Sequence, residues 1–319
     1  YSKENNLDFF DKLAYYMEMI RKLHLRSIEF NSKKKASINP YAFMYGGLID
    51  SDGKPTHKKP NEKIGSILSC GTVSFGVTAL NELQLLHNGQ TIRKAMEEKK
   101  KLIKKYGRNS DKVINPFCEE TVDFILSRIA RYKDEDNVLH SLYATPAEKL
   151  SGTQSEQFKK MFPNVKVKGF TNHSWVSNSF HIHVSEDITA FDKQDLEFDF
   201  FHKFTGGRIQ YFRIPLKTNK QAVKDSVRRG MRLGYYQGIN IDLSFCDDCG
   251  TSFDSENISI CKCPKCGSKK ITTMNRLCGY LGFTRRGEFY EEDDKGNVIN
   301  NGNRINLPMV DNIKARKCM

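Results

Sequence analysis

Several things are missing from this chain of 319 residues. No stretch approaches the ~18 successive apolar residues of a membrane helix, so no membrane span is predicted. The opening Tyr1-Ser2-Lys3 has neither an initiator Met nor the basic, apolar and small-residue pattern of a secretion signal. The natural start is therefore expected upstream, and the protein is expected in the cytoplasm. No internal repeat is visible. A disulfide framework is missing too. The nine cysteines are odd in number and stand at 70, 118, 246, 249, 261, 263, 266, 278 and 318. Four of them form two C-x-x-C pairs, which without a secretion signal favours metal binding and thiol chemistry over disulfides.

What is present reads as a globular protein. Hydrophobic residues make up 38% and charged residues 28% of the chain, enough for a sizeable core and one or two domains. The net charge of +13 fits a nucleic-acid partner, a nucleotide substrate or plain solubility. The lysines at 33–35, 99–101, 104 and 105 read as solvated faces.

Residues 8–30 carry Leu13, Tyr16, Ile20, Leu23 and Ser27 at helical spacing behind an Asp8 cap, and their aromatic and Met content points to core packing. The turn formers in 31–68 predict a long loop region. Val73–Leu80 is β-prone, and 91–106 and 121–132 read as helices, the second with Val122, Ile125, Ile129 and Tyr132 on one face. Gly206-Gly207 leads into an alternating strand at 208–214. A helix over 219–233 is capped by Gly234, a strand follows at 239–245, and the polar run 291–303 predicts a hairpin or loop. Strands alternating with helices argue for an α/β architecture.

The sharpest motif is Cys246-Asp-Asp-Cys249-Gly with Cys263-Pro-Lys-Cys266-Gly, 13 residues apart. Each C-x-x-C turn folds its second thiolate back toward the first, and the adjacent glycine frees backbone N–H groups for sulfur. Two such turns supply four soft ligands in a tetrahedron, the preference of structural zinc. Cys261 competes with Cys263, which has the Pro and Gly context of a knuckle.

Shortly after stands Arg276-Leu-Cys278-Gly279-Tyr-Leu-Gly282. This segment resembles the R-V-C-G-Y-L-G stretch of the class III anaerobic ribonucleotide reductases, whose cysteine zinc site immediately precedes a C-terminal radical glycine. Glycine suits a backbone radical, because an α-carbon without a side chain can flatten and share the unpaired electron with the flanking amides. Three further segments resemble the family: Gly76-Val-Thr-Ala-Leu-Asn81-Glu, its active-site strand ending in Asn; Tyr143-Ala-Thr-Pro-Ala-Glu148-Lys-Leu-Ser-Gly152; and Val176-Ser-Asn-Ser-Phe-His181. The tail from Arg304 to Met319 resembles the family's usual end.

The resemblance implies the C-terminal part of a ten-stranded α/β barrel over residues 1–243. A small zinc-ribbon and glycyl radical domain would occupy 244–319. It further implies a radical on Gly279 made by a radical S-adenosylmethionine activase, and reduction of ribonucleotides, with triphosphates expected. Formate or a thiol system would be the reductant, the upstream part of the same enzyme a partner, and a homodimer the assembly. Glu148 would transfer protons, Asn81 would hydrogen-bond substrate and Tyr143 would line the active site. Read alone, Glu148 is a helix-start carboxylate, Asn81 a strand-end polar residue and Tyr143 a core aromatic. His181 and His183, two apart, read as packed or substrate-near residues more readily than as metal ligands. The family's thiyl cysteine is expected within residues 39–50, yet that loop, Asn39-Pro-Tyr-Ala-Phe-Met44-Tyr-Gly46-Gly47, has none. Met44 matches the methionine near the thiyl cysteine of the formate-using branch, and Cys70 is the nearest thiol before Asn81, open equally to a relay and a structural role. Two other readings stand beside this one: a zinc-ribbon nucleic-acid-binding protein, and a different glycyl radical enzyme.

Overall fold

The computed structural model describes residues 1–50, 52–173, 175–183, 186–213, 220–240, 243–254, 262–277, 280–285, 290–292 and 298–300. The chain divides into two compact units. One comprises residues 1–76, 119–143 and 203–207, and the other residues 77–118, 144–202 and 208–319.

The first unit opens with α1 (Phe9–Ser32), whose first turn is closed by the Asp8 carboxylate accepting from Asp11 N at 2.8 Å. The expected loop region follows, broken by a 3-10 turn (Ala36–Ile38), a π turn (Tyr41–Tyr45), the strand pair β1 (Leu48–Ile49) and β2 (Pro55–Thr56), and the short α2 (Gly65–Leu68). Strand β3 (Thr72–Val77) pairs with β4 (Leu139–Ala144), and α5 (Phe117–Asp136) lies between them in sequence. The apolar face read from the sequence of α5 is buried: Val122, Ile125, Ile129 and Tyr132 are all 6% exposed or less. Each such side chain contributes roughly 1.5–3 kcal/mol.

The expected buried face of α1 is corrected. Tyr16, Ile20 and Leu23 are 41–61% exposed, as are Tyr15, Met19 and Phe30 at 50–62%, and Met17 is the helix's one buried residue. The helix is apolar on more than one side, and the row that faces inward is rotated to Phe10, Leu13, Met17, Arg21 and His24. Arg21 lies over the Tyr132 ring at 4.5 Å and donates through Nε to Asp136 Oδ2 at 2.8 Å. That ion pair is mostly buried and selects this face over the more apolar one.

In the second unit α3 (Leu80–Asn88) and α4 (Ile92–Tyr106) precede α5, and α6 (Glu148–Met161), α7 (Ala190–Phe201), β5 (Gln210–Arg213), α8 (Lys220–Arg232) and β6 (Gln237–Asn240) follow β4. Thr91 caps α4, and Gly234 takes the left-handed φ of 74° that ends α8. Leu85, Phe170 and Val176 form a core against Ala79, Leu86, Phe158 and Val167. β5 and β6 pair in parallel. The single strand expected over 239–245 is instead two. β6 belongs to the parallel pair, whereas β7 (Leu243–Cys246) joins β8 (Ser252–Asp254), β9 (Ile271–Leu277) and β10 (Tyr280–Arg285) in a four-stranded sheet of order β10-β9-β7-β8. β11 (Tyr290–Glu292) and β12 (Val298–Asn300) pair antiparallel within the expected polar hairpin. Among the described residues the strands form this sheet and four two-stranded ones, and the ten-stranded barrel implied by the resemblance is not drawn by them.

Candidate functional site

Two features concentrate chemistry in the second unit. The first is the cysteine cluster. At the first knuckle Gly250 N donates to Cys246 O at 2.9 Å and Cys246 N to Thr251 O at 3.0 Å. The same two bonds recur at the second, from Gly267 N to Cys263 O and from Cys263 N to Ser268 O. Gly250 and Gly267 turn with φ of 67° and 74°, a conformation that glycine adopts without steric cost. The result is a set of four sulfurs, from Cys246, Cys249, Cys263 and Cys266, all within 4.8 Å of one another. Cys246 and Cys266 are 3.5 Å apart and Cys249 and Cys263 3.7 Å apart. A tetrahedron with zinc–sulfur bonds of about 2.3 Å has edges of about 3.8 Å, so the donor set fits such an ion. The rival ligand Cys261 lies outside the described residues.

Side chains of the first knuckle bind the far side of the second. Asp248 accepts from Ser268 Oγ at 2.6 Å, and Asp247 accepts from Thr272 Oγ1 at 2.9 Å. A hydrogen bond with the Thr251 hydroxyl pulls the Cys249 thiol down to about 6, whereas Cys266, against a backbone hydrogen bond with Ser268, is pushed up to about 12 by its hydrogen bond with Cys249; thiolate is the form that binds metal.

The cluster is also the root of a hairpin. Cys246 on β7 pairs with Ile271 at the start of β9. β9 runs seven residues to Leu277, which pairs with Tyr280 on β10. At about 3.4 Å per residue this strand extends about 20 Å from the cysteines. The two residues that join Leu277 to Tyr280 are Cys278 and Gly279, which lie outside the described residues.

The second feature is a buried polar junction that ties together the three segments of the family resemblance. Ala79 N donates to Ser177 O at 3.0 Å, and Leu80 N to Ser179 O at 3.3 Å. Thr78 Oγ1 donates to Gln154 Oε1 of α6 at 3.0 Å, and Val176 N to Ser151 O at 3.2 Å. At the centre lies Glu82, 2% exposed, whose Oε2 accepts from Ser177 N at 3.0 Å and Ser177 Oγ at 2.7 Å. Burial pushes its carboxyl above the ordinary range, and the three donated hydrogen bonds from Ser177 and Asn81 pull the other way.

Asn81 lies in the first turn of α3 rather than at the end of the expected strand, which stops at Val77. It is 1% exposed, its Nδ2 donates to Glu82 Oε1 at 3.2 Å, and its Oδ1 accepts from Ile92 N at 3.0 Å. Glu148 is the first residue of α6, and its side chain is outside the described set. Both helices start after an alanine in the left-handed region, Ala79 at φ 62° and Ala147 at φ 56°. Such a conformation costs an alanine roughly 1–2 kcal/mol and persists only where surrounding contacts over-determine it.

His181 and His183 do not share a strand. The His181 ring lies 3.2 Å from Glu197 Oε1, and His183 Nε2 lies 3.3 Å from His173 Nδ1.

The first unit holds Cys70 and Tyr143. Cys70 is exposed just after α2, its sulfur 3.7 Å from Ser66 O. Tyr143 is half-buried on β4, and its ring needs the glycine at 207, where an added Cβ would sit 2.7 Å from Tyr143 Cε2. Glu82 and Ser177 were not singled out from the sequence. The one signal available was a carboxylate directly after the mostly apolar stretch that ends in Asn81.

Comparison with known proteins bears on what this site serves. Residues 1–292 match the family model described as anaerobic ribonucleoside-triphosphate reductase. The anaerobic ribonucleoside-triphosphate reductase of Enterobacteria phage T4 is 31% identical over 255 residues, covering 78% of this chain and 36% of that protein. That of Haemophilus influenzae is 26% identical over 287 residues, covering 88% of this chain and 37% of that protein. The chain thus spans little more than a third of the length of these relatives. The crystal structure of the anaerobic ribonucleotide reductase from Thermotoga maritima with MES in the active site aligns at a TM-score of 0.48 and 18% identity, over 70% of this chain and 33% of that one. No described helix is long and apolar enough to cross a membrane.

Proposed function

This chain belongs to the anaerobic ribonucleoside-triphosphate reductase family, and we propose that it is the C-terminal, radical-bearing part of such an enzyme, reducing ribonucleoside triphosphates to deoxyribonucleotides in the cytoplasm. The observation that carries the reading is the four-sulfur root of the β9–β10 hairpin, with Gly279 between the paired Leu277 and Tyr280. A strand anchored at its base by a closed metal site presents its far end at a set place. Cys246, Cys249, Cys263 and Cys266 would hold a zinc ion, which would supply rigidity and no redox chemistry.

Gly279 gives up an α-hydrogen atom to a partner activase of the radical S-adenosylmethionine type. The backbone radical takes a hydrogen atom from a cysteine thiol, for which Cys70 is our candidate. The thiyl then takes the 3′ hydrogen of the ribonucleotide. Glu148 transfers a proton as the 2′ hydroxyl leaves as water. Two electrons from formate, which becomes carbon dioxide, or from a pair of thiols, which become a disulfide, complete the reduction. The 3′ hydrogen returns from the cysteine. Tyr143 lines the substrate space, and Asn81 hydrogen-bonds the sugar through the amide N–H that Glu82 leaves free. The upstream part of the enzyme supplies the remaining barrel, and the whole assembles as a homodimer. The family match over residues 1–292 weighs against a zinc-ribbon nucleic-acid binder and against a different glycyl radical enzyme.

The test uses the complete enzyme with its activase. A carbon-centred backbone radical adds oxygen and breaks the chain where it sits. Activated protein exposed to air should lose residues 280–319, read by intact-mass spectrometry, with a parallel anaerobic electron spin resonance signal. Gly279→Ala should show neither. Cleavage at Gly282, or a signal that survives in Gly279→Ala, would move the radical elsewhere.

A further inference from the structure

We infer that Glu82 is a positioning residue that fixes which way the Asn81 amide faces, and so which of its hydrogen-bonding groups remain to be offered. This rests on the proposed role of Asn81 at the substrate. The oxygen and nitrogen ends of an asparagine amide are nearly isosteric, so partners alone decide its orientation. Asn81 has two partners of opposite kind. Ile92 N–H, 3.0 Å from Oδ1, can only donate; it is the first amide of α4, which has no carbonyl partner within its own helix. Glu82 Oε1, 3.2 Å from Nδ2, is the acceptor of that N–H. Turning the amide over would set donor against donor at Ile92 and acceptor against acceptor at Glu82. Both groups are about as buried as groups can be, Asn81 at 1% and Ile92 at 1% exposure, so water cannot make up the loss.

Glu82 can do this because it is itself held. Its other oxygen takes two hydrogen bonds from Ser177, through N at 3.0 Å and Oγ at 2.7 Å. The same serine's carbonyl accepts from Ala79 N, two residues before Asn81. The strained Ala79, the amide of Asn81 and the 176–181 segment are thereby fixed through one carboxylate. No cation pairs with Glu82 among the ion pairs of the described residues, so stabilisation by an opposite charge does not explain why a carboxyl group is buried there. Hydrogen-bond polarity does.

The argument predicts a swap. Asn81→Asp faces two acceptors across the 3.2 Å contact, and Glu82→Gln faces two amide donors or else leaves Ser177 unsatisfied. In Asn81→Asp/Glu82→Gln the glutamine N–H donates to the aspartate, its carbonyl still accepts from Ser177, and the aspartate still accepts from Ile92 N–H. Urea unfolding of the complete enzyme with native amide exchange at Ile92 and Ser177 reads the result. The double variant should be at least about tenfold more folded than the two single effects combined predict, with both amides regaining protection. Single effects that simply combine, or a double variant no better than the worse single one, would overturn the inference. In the complete activated enzyme, Glu82→Gln should raise KM for the ribonucleotide about tenfold, the worth of one hydrogen bond, and leave kcat nearly unchanged. The double variant should keep that defect, since an aspartate offers no N–H. Coupling in the folding assay with KM unmoved in every variant would sustain the orienting role of Glu82 and refute the proposed role of Asn81.

Discussion

His183 makes the fold sensitive to acid in a measurable way. It is 4% exposed, stands against His173 at 3.3 Å, and burial, with the neighbouring His173 second, takes it from its ordinary 6.5 down to about 4. His173 is held low as well, by burial first and then by Lys159. Above pH 6.5 the ring is neutral in both folded and unfolded chains and adds no pH dependence. As pH falls through 6.5 the unfolded chain takes up a proton that the folded chain refuses until about 4, so stability drops across that window and levels off below it. Each pKa unit is worth about 1.4 kcal/mol, which makes the full loss about 3.4 kcal/mol. Between pH 7 and pH 5 the loss from this ring is about 2 kcal/mol. The comparison is wild type against His183→Gln, which retains a hydrogen-bonding group for His173 but does not titrate. Urea unfolding at pH 7 and pH 5 should show the variant losing about 2 kcal/mol less than wild type over that interval. An NMR titration of the ring carbons of His183 should place its midpoint near 4. A midpoint near 6.5, or an equal acid loss in both proteins, would show that the ring is solvated and refute the reasoning.

Three more outcomes follow from the structure and the proposed function. The complete chain should hold about one zinc ion, lost in Cys263→Ser and kept in Cys261→Ser, as elemental analysis of the two variants reads out. Arg21→Met leaves the Asp136 carboxylate buried without its guanidinium, and should cost about 3 kcal/mol in urea unfolding; an unchanged midpoint would mean that the pair is solvated. Glu148→Gln should cut turnover of the activated enzyme by about a hundredfold while nucleotide affinity and radical yield stay near wild type, and full activity would reduce Glu148 to a helix-start residue.

Local signals carried far in this sequence, and long-range ones did not. The cap at Asp8, the glycine stop at Gly234 and the knuckles around Cys246 and Cys263 depend on a few neighbouring residues, so spacing alone announces them. The facing of α1 is not legible locally, because Tyr16, Ile20 and Leu23 are as apolar as a core row should be, while the inward face is chosen by Arg21 reaching Asp136, 115 residues away. The run 239–245 reads as one strand because apolar and polar residues alternate through it without a break, from Ile239 to Phe245. Only pairing partners distant in sequence assign β6 and β7 to different sheets. Asn81 was recognisable by resemblance, but its dependence on Glu82 was not. That dependence passes through Ser177, 95 residues further along the chain.

The cysteine cluster has a consequence for how the protein must be handled. Sulfurs 3.5 and 3.7 Å apart need little movement to reach the bond length of about 2.05 Å in a disulfide, and their partners lie on opposite knuckles. Thiolates bound to a cation are shielded from this, whereas the same four thiols left bare in air can cross-link the two knuckles covalently. Such a product would keep the root of the hairpin closed while leaving no ligand for the ion, so that metal added later could not restore the site. Purification under reducing conditions with zinc present should therefore decide whether the root is held by a metal or by sulfur–sulfur bonds, and non-reducing mass spectrometry after chelation in air distinguishes the two.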